Sequence, residues 1–281
     1  MTTPPSFAEI DVQGPDAETF LQGQLANDVS GIEQGRWRYG CYCVPDGRVQ
    51  ALLMIARPGV QQWRLLLPAD VAAAVTLRLQ RYKLRARCTI SSHEVVADHG
   101  DPAPDNRARY RCAAFELAVA AGSAAPMSSS AWERQLELDI PWIVAATSER
   151  FLPQMLGLQR LQAFSLRKGC FPGQEVVART HFLGRVKRRL VRLLRTSGDV
   201  SLAPGAELCL QAGASAAAGV LLSTAEDHLP TLAVVTDEAV AGSVLQAMNP
   251  RENATFVIDR DVIGTIGDEV LNGRYDPPFS A

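Results

Sequence analysis

Two textures divide this chain, and the change between them constrains the fold more than any single residue does. Up to about Gly184, strand-like alternation is interleaved with helical periodicity; from Arg185 on there are only short strand-like runs broken by Gly, Pro and Asp. Val186 to Leu194, Glu207 to Gln211, Ala217 to Ser223, Thr231 to Thr236 and Ala254 to Ile258 have the rhythm of a small antiparallel barrel. Ala212 to Ala218, rich in Ala, Gly and Ser, reads as a hairpin tip within it. The expected division is therefore 1–184 and 185–281, and a chain of 281 residues is long enough for two such units.

The first region reads as α+β. Phe7 to Val12 alternates as a strand, and Gly14-Pro15-Asp16 opens a helix carrying Phe20, Leu21 and Leu25 on one face, ended by Asn27-Asp28. Tyr39 to Cys43 and Arg48 to Ala56 flank the turn Pro45-Asp46-Gly47 as a hairpin, and Gln61 to Leu67 follows as a strand. Asp70 is placed to cap a helix from Val71 to about Tyr82, after which Arg85 to Ile90 returns as a strand. Asp98 to Asn106 is a polar loop and Cys112 to Ala120 a strand; Ser128-Ser129-Ser130 caps a helix from Ala131 to Leu138. Residues Asp139 to Leu161 are irregular. This order predicts a sheet with helices on one face.

Bulk properties exclude several classes. The formal net charge of -2 gives no global pull toward nucleic acid or an anionic membrane, and no apolar run reaches the ~18 residues of a span. The start, Met1 to Ser6, lacks the basic and apolar parts of a signal peptide. The six cysteines are scattered without a C-x-x-C pair, which predicts reduced thiols in a bacterial-type cytoplasm. Cys41 and Cys43 are expected on opposite faces of their strand. The four histidines lack metal-ligand spacing. Nothing suggests a large apolar interface, so a monomer is expected.

Chemistry concentrates in Lys168-Gly169-Cys170-Phe171-Pro172-Gly173-Gln174-Glu175. A cation, a thiol, two glycines and a carboxylate in eight residues suit a turn that presents sulfur, not a core. Gly169 and Gly173 permit backbone angles that a side chain forbids, and Pro172 fixes one dihedral. Glu175 to Arg179 reads as the first turn of a short helix. Cys170 would then lie just before a helix N-terminus with Lys168 two residues away, and both favour thiolate. The plainer alternative is a semi-buried, inert cysteine in a tight loop.

At this run the chain resembles the YgfZ family of folate-binding proteins, whose signature is K-G-C-x-x-G-Q-E. The resemblance continues through Val177-Ala178-Arg179 and Gly184 to Arg189. It extends upstream to Phe20-Leu21-Gln22-Gly23-Gln24-Leu25 with Asn27-Asp28-Val29, to Cys43-Val44-Pro45-Asp46-Gly47-Arg48, and to Phe151-Leu152-Pro153-Gln154. It implies the fold of the aminomethyltransferase (T-protein, GcvT) of the glycine cleavage system: a GcvT-like three-lobed ring around a central folate cavity, with two interleaved α+β lobes and a C-terminal antiparallel β-barrel.

The same resemblance implies a tetrahydrofolate or one-carbon derivative as cofactor. A carboxylate can accept the paired pteridine donors, and Glu137 in Leu136 to Pro141 stands in the matching place. Asp139 stands where the family's E-x-G pattern has Gly. The anionic glutamate tail would take basic residues such as Lys168, Arg179, Arg185 and Arg188. Seven basic residues fall between Arg179 and Arg195. Apolar residues interleave with them and aromatics do not, so a solvated strand face, without direct nucleic-acid binding, is expected there. The T-protein's catalytic Asp corresponds to Gln50, Ala51 or Leu52, none ionisable, so no aminomethyltransferase activity is expected.

The implied role is folate-dependent assembly or repair of iron-sulfur clusters in client enzymes, including tRNA-thiolating radical enzymes. Cys170 would be the reactive thiol, Lys168 its electrostatic activator, and Gln174 and Glu175 would shape the loop, Glu175 also meeting free helix amides. The alternative is a folate-dependent one-carbon or methyl transferase on an unknown acceptor. A third is a pure binding module with folate as plug or sensor.

Overall fold

The computed structural model describes residues 4–99, 107–122, 125–198, 202–210, 216–223, 230–249, 254–262 and 273–277. The loop expected at 98–106 and the hairpin tip at 212–218 fall largely outside them. Two closed barrels organise the chain. The larger is built from β1 (Phe7–Gln13), β2 (Arg36–Cys43), β3 (Val49–Gly59), β4 (Gln62–Pro68), β5 (Thr89–His99), β6 (Ala108–Arg111), β7 (Glu116–Ala121) and one late strand, β14 (Gly273–Asp276). It closes in the order β1-β4-β3-β2-β14-β6-β7-β5, with antiparallel neighbours.

Period-2 alternation fixes what each barrel strand buries. Phe7, Tyr39, Met54, Leu66, Val95, Tyr110, Leu117 and Tyr275 point into one cluster inside the barrel. Ile10, Val12, Leu53, Ile55, Leu65 and Leu67 point outward, where helices α1 (Ala17–Gln24) and α2 (Ala69–Lys83) cover them with Leu21, Val71, Val75 and Leu79. The run Val49 to Ala56 is buried throughout because both of its faces are covered. Each such Leu or Ile contributes ~1.5–3 kcal/mol relative to exposure, which is why a near-continuous apolar run is required.

The smaller barrel contains β8 (Arg188–Ser197), β9 (Glu207–Cys209), β10 (Gly219–Ser223), β11 (Thr231–Thr236), β12 (Val244–Ala247) and β13 (Thr255–Asp261), closed as β10-β11-β8-β13-β12-β9. Val191, Leu193, Leu221, Ala233 and Phe256 fill it. Its outer face is also apolar: Leu190, Val220, Leu222, Leu232 and Val234 join the cluster that lines the large barrel, together with Trp142, Ile143, Phe151 and Leu158 of the irregular segment. Helices α3 (Ser129–Glu137) and α4 (Gln174–Leu183) bracket that segment.

Residues 188–261 thus form the small barrel, while β14 leaves it and inserts between β2 and β6. Polar pairing inside the large barrel holds it there. The Tyr275 hydroxyl accepts from Arg64 at 2.7 Å, and its ring meets Tyr110 edge-on at 5.1 Å. Glu9, 2% exposed, accepts from the Tyr110 hydroxyl at 2.7 Å and faces Arg64 at 3.5 Å. A buried carboxylate without such partners would be strongly destabilising.

Several local expectations change. Cys112 to Ala120 is not one strand but the tight turn and second arm of the β6–β7 hairpin: the Cys112 amide donates to the Phe115 carbonyl at 2.9 Å. Ala113-Ala114 offered no Gly or Pro to mark that turn. The strand expected at Arg85 to Ile90 begins only at Thr89, because Lys83 holds the Cys88 carbonyl at 2.9 Å and closes the chain into a turn first. Asp70 does not cap α2; the cap position is Pro68, and Asp70 Oδ2 instead accepts from the Ala145 amide at 2.8 Å. Cys41 and Cys43 face the same side, with Sγ atoms 3.9 Å apart, since residues two apart on a strand share a face.

Gly273 sits opposite Trp37, whose ring lies where a Cβ would be, 1.9 Å from it. Gly273→Ala is therefore expected to lower stability by ~1–3 kcal/mol and the thermal midpoint by several degrees. An unchanged midpoint would show that β14 is not seated in this way.

Candidate functional site

The cysteine loop is assembled from parts far apart in sequence. The Cys41 amide donates to the Ala163 carbonyl at 3.0 Å and the Ser165 amide to the Ala26 carbonyl at 2.9 Å, stitching the approach to the loop between β2 and the end of α1. Lys168 then turns inward. Its ammonium donates to the carbonyls of Gln22, Leu25 (2.6 Å) and Asn27 (2.9 Å) and lies over the Phe171 ring at 5.7 Å. The last carbonyls of a helix lack intrahelical donors, and a cation there completes them. All three ammonium hydrogens are used. Lys168 is 9% exposed, and burial pushes its pKa down to about 8 against the pull of Asp28 and Cys41.

Lys168 is thus an anchor for the loop. The activating role expected of it has no contact with the Cys170 sulfur to carry it, because every donor already has a carbonyl. Cys170 itself is exposed and, among the described residues, makes no hydrogen bond. The helix expected after it is α4, which starts at Gln174 with Gly173 as its N-cap.

Gly173 has φ +80°, and a Cβ there would lie 2.4 Å from the Val44 carbonyl oxygen and 2.5 Å from Gly47 Cα. Backbone meets backbone, and only glycine permits it. Gly169, by contrast, has no close neighbour at its Cβ position and no left-handed φ. The Gln174 side chain donates to the Lys168 carbonyl at 3.4 Å, closing the loop as expected. Glu175 lies in the first turn of α4 but its carboxylate caps no amide. Gln154 donates to the Val177 carbonyl at 2.8 Å and the Val49 amide to the Phe151 carbonyl at 2.8 Å. The first-helix motif, the first hairpin, the Phe151 to Gln154 lead-in and the cysteine loop are therefore in mutual contact.

A second cluster lies between α3 and the small barrel. Glu137, at the end of α3, is exposed and pairs with Arg134 at 2.8 Å. Asp139 is buried, with φ +54°, the left-handed backbone that the expected glycine would supply. Its carboxylate meets Arg192 at 2.7 Å and Arg260 at 3.1 Å, and its carbonyl accepts from Arg160. Arg192 also donates to the Glu137 carbonyl at 2.8 Å. No hydrogen bond or ion pair among the described residues joins this cluster to Cys170, Lys168, Gln174 or Glu175. Arg179 is exposed on α4 and Arg185 pairs with Asp237 at 3.1 Å, so neither stands with Glu137.

Three guanidinium groups (Arg134, Arg192, Arg260) pair with two carboxylates, Arg160 donates to the Leu138 and Asp139 carbonyls, and among the described residues the half-exposed Glu137 keeps one oxygen without a partner. Sequence reasoning missed Arg160, Arg192 and Arg260; only the substitution at Asp139 hinted at them. Gln50, one of the three residues expected at the T-protein acid, donates to Glu149 Oε1 at 3.0 Å, so a carboxylate reaches Gln50 from another segment. Among the described residues no group of His, Cys, Asp and Glu is placed to hold a metal ion. No described helix is long and apolar enough to cross a membrane.

Comparison with known proteins follows the same lines. Residues 4–97 match the GCVT N-terminal domain family. The solved aminomethyltransferase T of the glycine cleavage system from Bartonella henselae superposes with a TM-score of 0.64 over 92% of this chain and 86% of that one, at 15% identity. The chain thus has the α+β, GcvT-like fold. Among curated sequences, the tRNA-modifying protein YgfZ of Edwardsiella ictaluri is 28% identical over 84% of both chains, and that of Klebsiella pneumoniae 27% identical over 74% of this chain and 75% of its own. An uncharacterised protein of Haemophilus influenzae is 28% identical over 72% of this chain and 76% of its own. The chain is a homologue of the YgfZ proteins.

Two outcomes follow from the anchor. Lys168 has a folded-state pKa of about 8, below its ordinary value of 10.5. Between those values the unfolded chain binds more protons, so this residue makes stability rise with pH across that window. In Lys168→Met the rise should be smaller, as measured by urea midpoints at pH 7.5, 9 and 10; identical pH profiles would remove the assignment. Gly173→Ala should separate the cysteine loop from the Gly47 turn, lowering the thermal midpoint by several degrees and changing the rate at which Cys170 reacts with a thiol probe.

Proposed function

We propose that this chain is a folate-binding protein serving tRNA modification, by supporting the assembly or repair of iron-sulfur clusters in client enzymes such as tRNA-thiolating radical enzymes. Cys170 is the reactive thiol in this proposal. The observation that carries it is the convergence of four separated motifs on one loop whose only exposed reactive group is that sulfur. Natural chains do not commonly hold a free thiol in solvent by a buried cation and a glycine-on-glycine contact for packing alone. The YgfZ name of the homologues, with its reference to tRNA, supports the same reading.

A lone thiol does not hold a cluster, for which four cysteine ligands are the norm. Cys170 would therefore act together with ligands of a client, or carry a sulfur species to it. Lys168, Gln174 and Gly173 position the loop. Glu137 would accept the paired donors of a pterin, with the surrounding arginines favouring an anionic ligand. The free state of all six cysteines suits a reducing cytoplasm.

A second reading has one observation in its favour. Glu149, hydrogen-bonded to Gln50, is a carboxylate available to a folate-dependent one-carbon transferase. Incubation with methylenetetrahydrofolate would reveal it through a consumed one-carbon unit, lost in Glu149→Gln.

Cys170→Ala should bind tetrahydrofolate as wild type does by calorimetry, yet leave thiolated nucleosides in tRNA at the level of cells lacking the protein. Wild-type thiolation in that variant would remove the thiol from the mechanism. Glu137→Gln should weaken tetrahydrofolate binding about 10-fold or more, the expected effect of losing a charge-assisted hydrogen bond. Unchanged affinity would move the pterin away from α3.

A further inference from the structure

We infer that the exposed end of α4 and the strand entry that follows it form a docking surface for RNA, with Arg179, Lys187 and Arg188 facing phosphates and Phe182 offering a platform for a base. The basic run from Arg179 to Arg195 looked from sequence like a solvated strand face without aromatics. The fold sorts it differently. Arg189 is consumed by Asp261 at 2.9 Å and by the Thr236 and Ala239 carbonyls, and Arg192 by Asp139. Arg179, Lys187 and Arg188 are exposed and, among the described residues, make no ion pair. Arg185 is 82% exposed in its side chain and, among the described residues, pairs with Asp237. Asp237, whose amide donates to the Lys187 carbonyl at 3.1 Å, bounds the patch on one side.

An aromatic does lie within the run, at Phe182 on α4. Helix α4 buries only Val177. Phe182 is 71% exposed and stands edge-on to His181, with ring centroids 4.9 Å apart; Leu183, next to it, is 86% exposed. A large apolar side chain held that far into solvent asks for a partner. Cations on both sides of it, in a chain whose net charge is -2, ask for an anionic one. A polyanion whose units carry flat π-faces meets both demands, since base-on-aromatic stacking and phosphate contacts are the two components of single-stranded nucleic-acid binding. The choice of tRNA as that RNA rests on the proposed function; the surface does not depend on the thiol.

The test uses the full chain and fluorescently labelled mixed tRNA, followed by anisotropy. With three phosphates neutralised, affinity should fall about 20-fold between 50 and 200 mM salt. Arg179→Gln/Lys187→Gln/Arg188→Gln should bind at least tenfold more weakly at 50 mM and lose most of that salt dependence. Phe182→Ala should bind about 5-fold more weakly or worse at every salt concentration. All of these positions are exposed, and thermal midpoints confirm that the variants fold. Absence of wild-type binding, or variants that bind as wild type does, would overturn the inference. So would patch-dependent binding to phosphatidylglycerol vesicles or polyglutamate as tight as to tRNA. Cys170→Ala should still bind tRNA, so failure of the thiol reading and failure of this one give different results.

Discussion

The ammonium of Lys168, enclosed by three backbone carbonyls at the end of α1, is the contact on which the cysteine loop depends. It joins two problems with one group. Helix α1 ends with acceptors that have no donors, and the loop needs a fixed point from which to project a sulfur. A side chain that gives up all its hydrogen bonds inward cannot also serve the thiol directly. Its hydrogen bonds therefore act on Cys170 through position: the residue two places on is held in solvent because this one is held inside.

Asp139 plays a comparable part at the joint between α3 and the small barrel. A left-handed conformation costs a non-glycine residue ~1–2 kcal/mol. Charge-assisted hydrogen bonds to Arg192 and Arg260, each worth more than a neutral one, offset it. The aspartate is an ionic link that ties the end of α3 to β8 and β13. It leaves Glu137, two residues earlier, as the acid that faces solvent.

Much of this was legible beforehand, for physical reasons that differ by element. The small barrel announced itself because short strands need Gly, Pro and Asp between them. Helix α1 was marked by its apolar spacing, α3 by its serine cap, and α4 by the Gly-Pro-Gly punctuation before Glu175. The β6–β7 turn was not, because two alanines carry no turn preference. The role of Lys168 was invisible, since its acceptors are main-chain carbonyls from another element and leave no trace in side-chain identity. The arginines around Asp139 were equally hidden: β8 and β13 bring them there only once the barrel has closed. His181 and Phe182 lie within the basic run itself, but the sequence does not show that α4 buries only Val177 and leaves Phe182 in solvent.

The seating of β14 has a bearing on how the molecule is made. The wall of the large barrel lacks one stave until Gly273 to Asp276 arrives, because that strand lies between strands translated well before it. Chains are synthesised from the N-terminus, and early domains usually finish folding first. Here the small barrel can be complete while the large one still gapes, so the part begun earliest is the part sealed last. A ribosome that stops before Gly273 would release a protein with an intact second barrel and a breached first one.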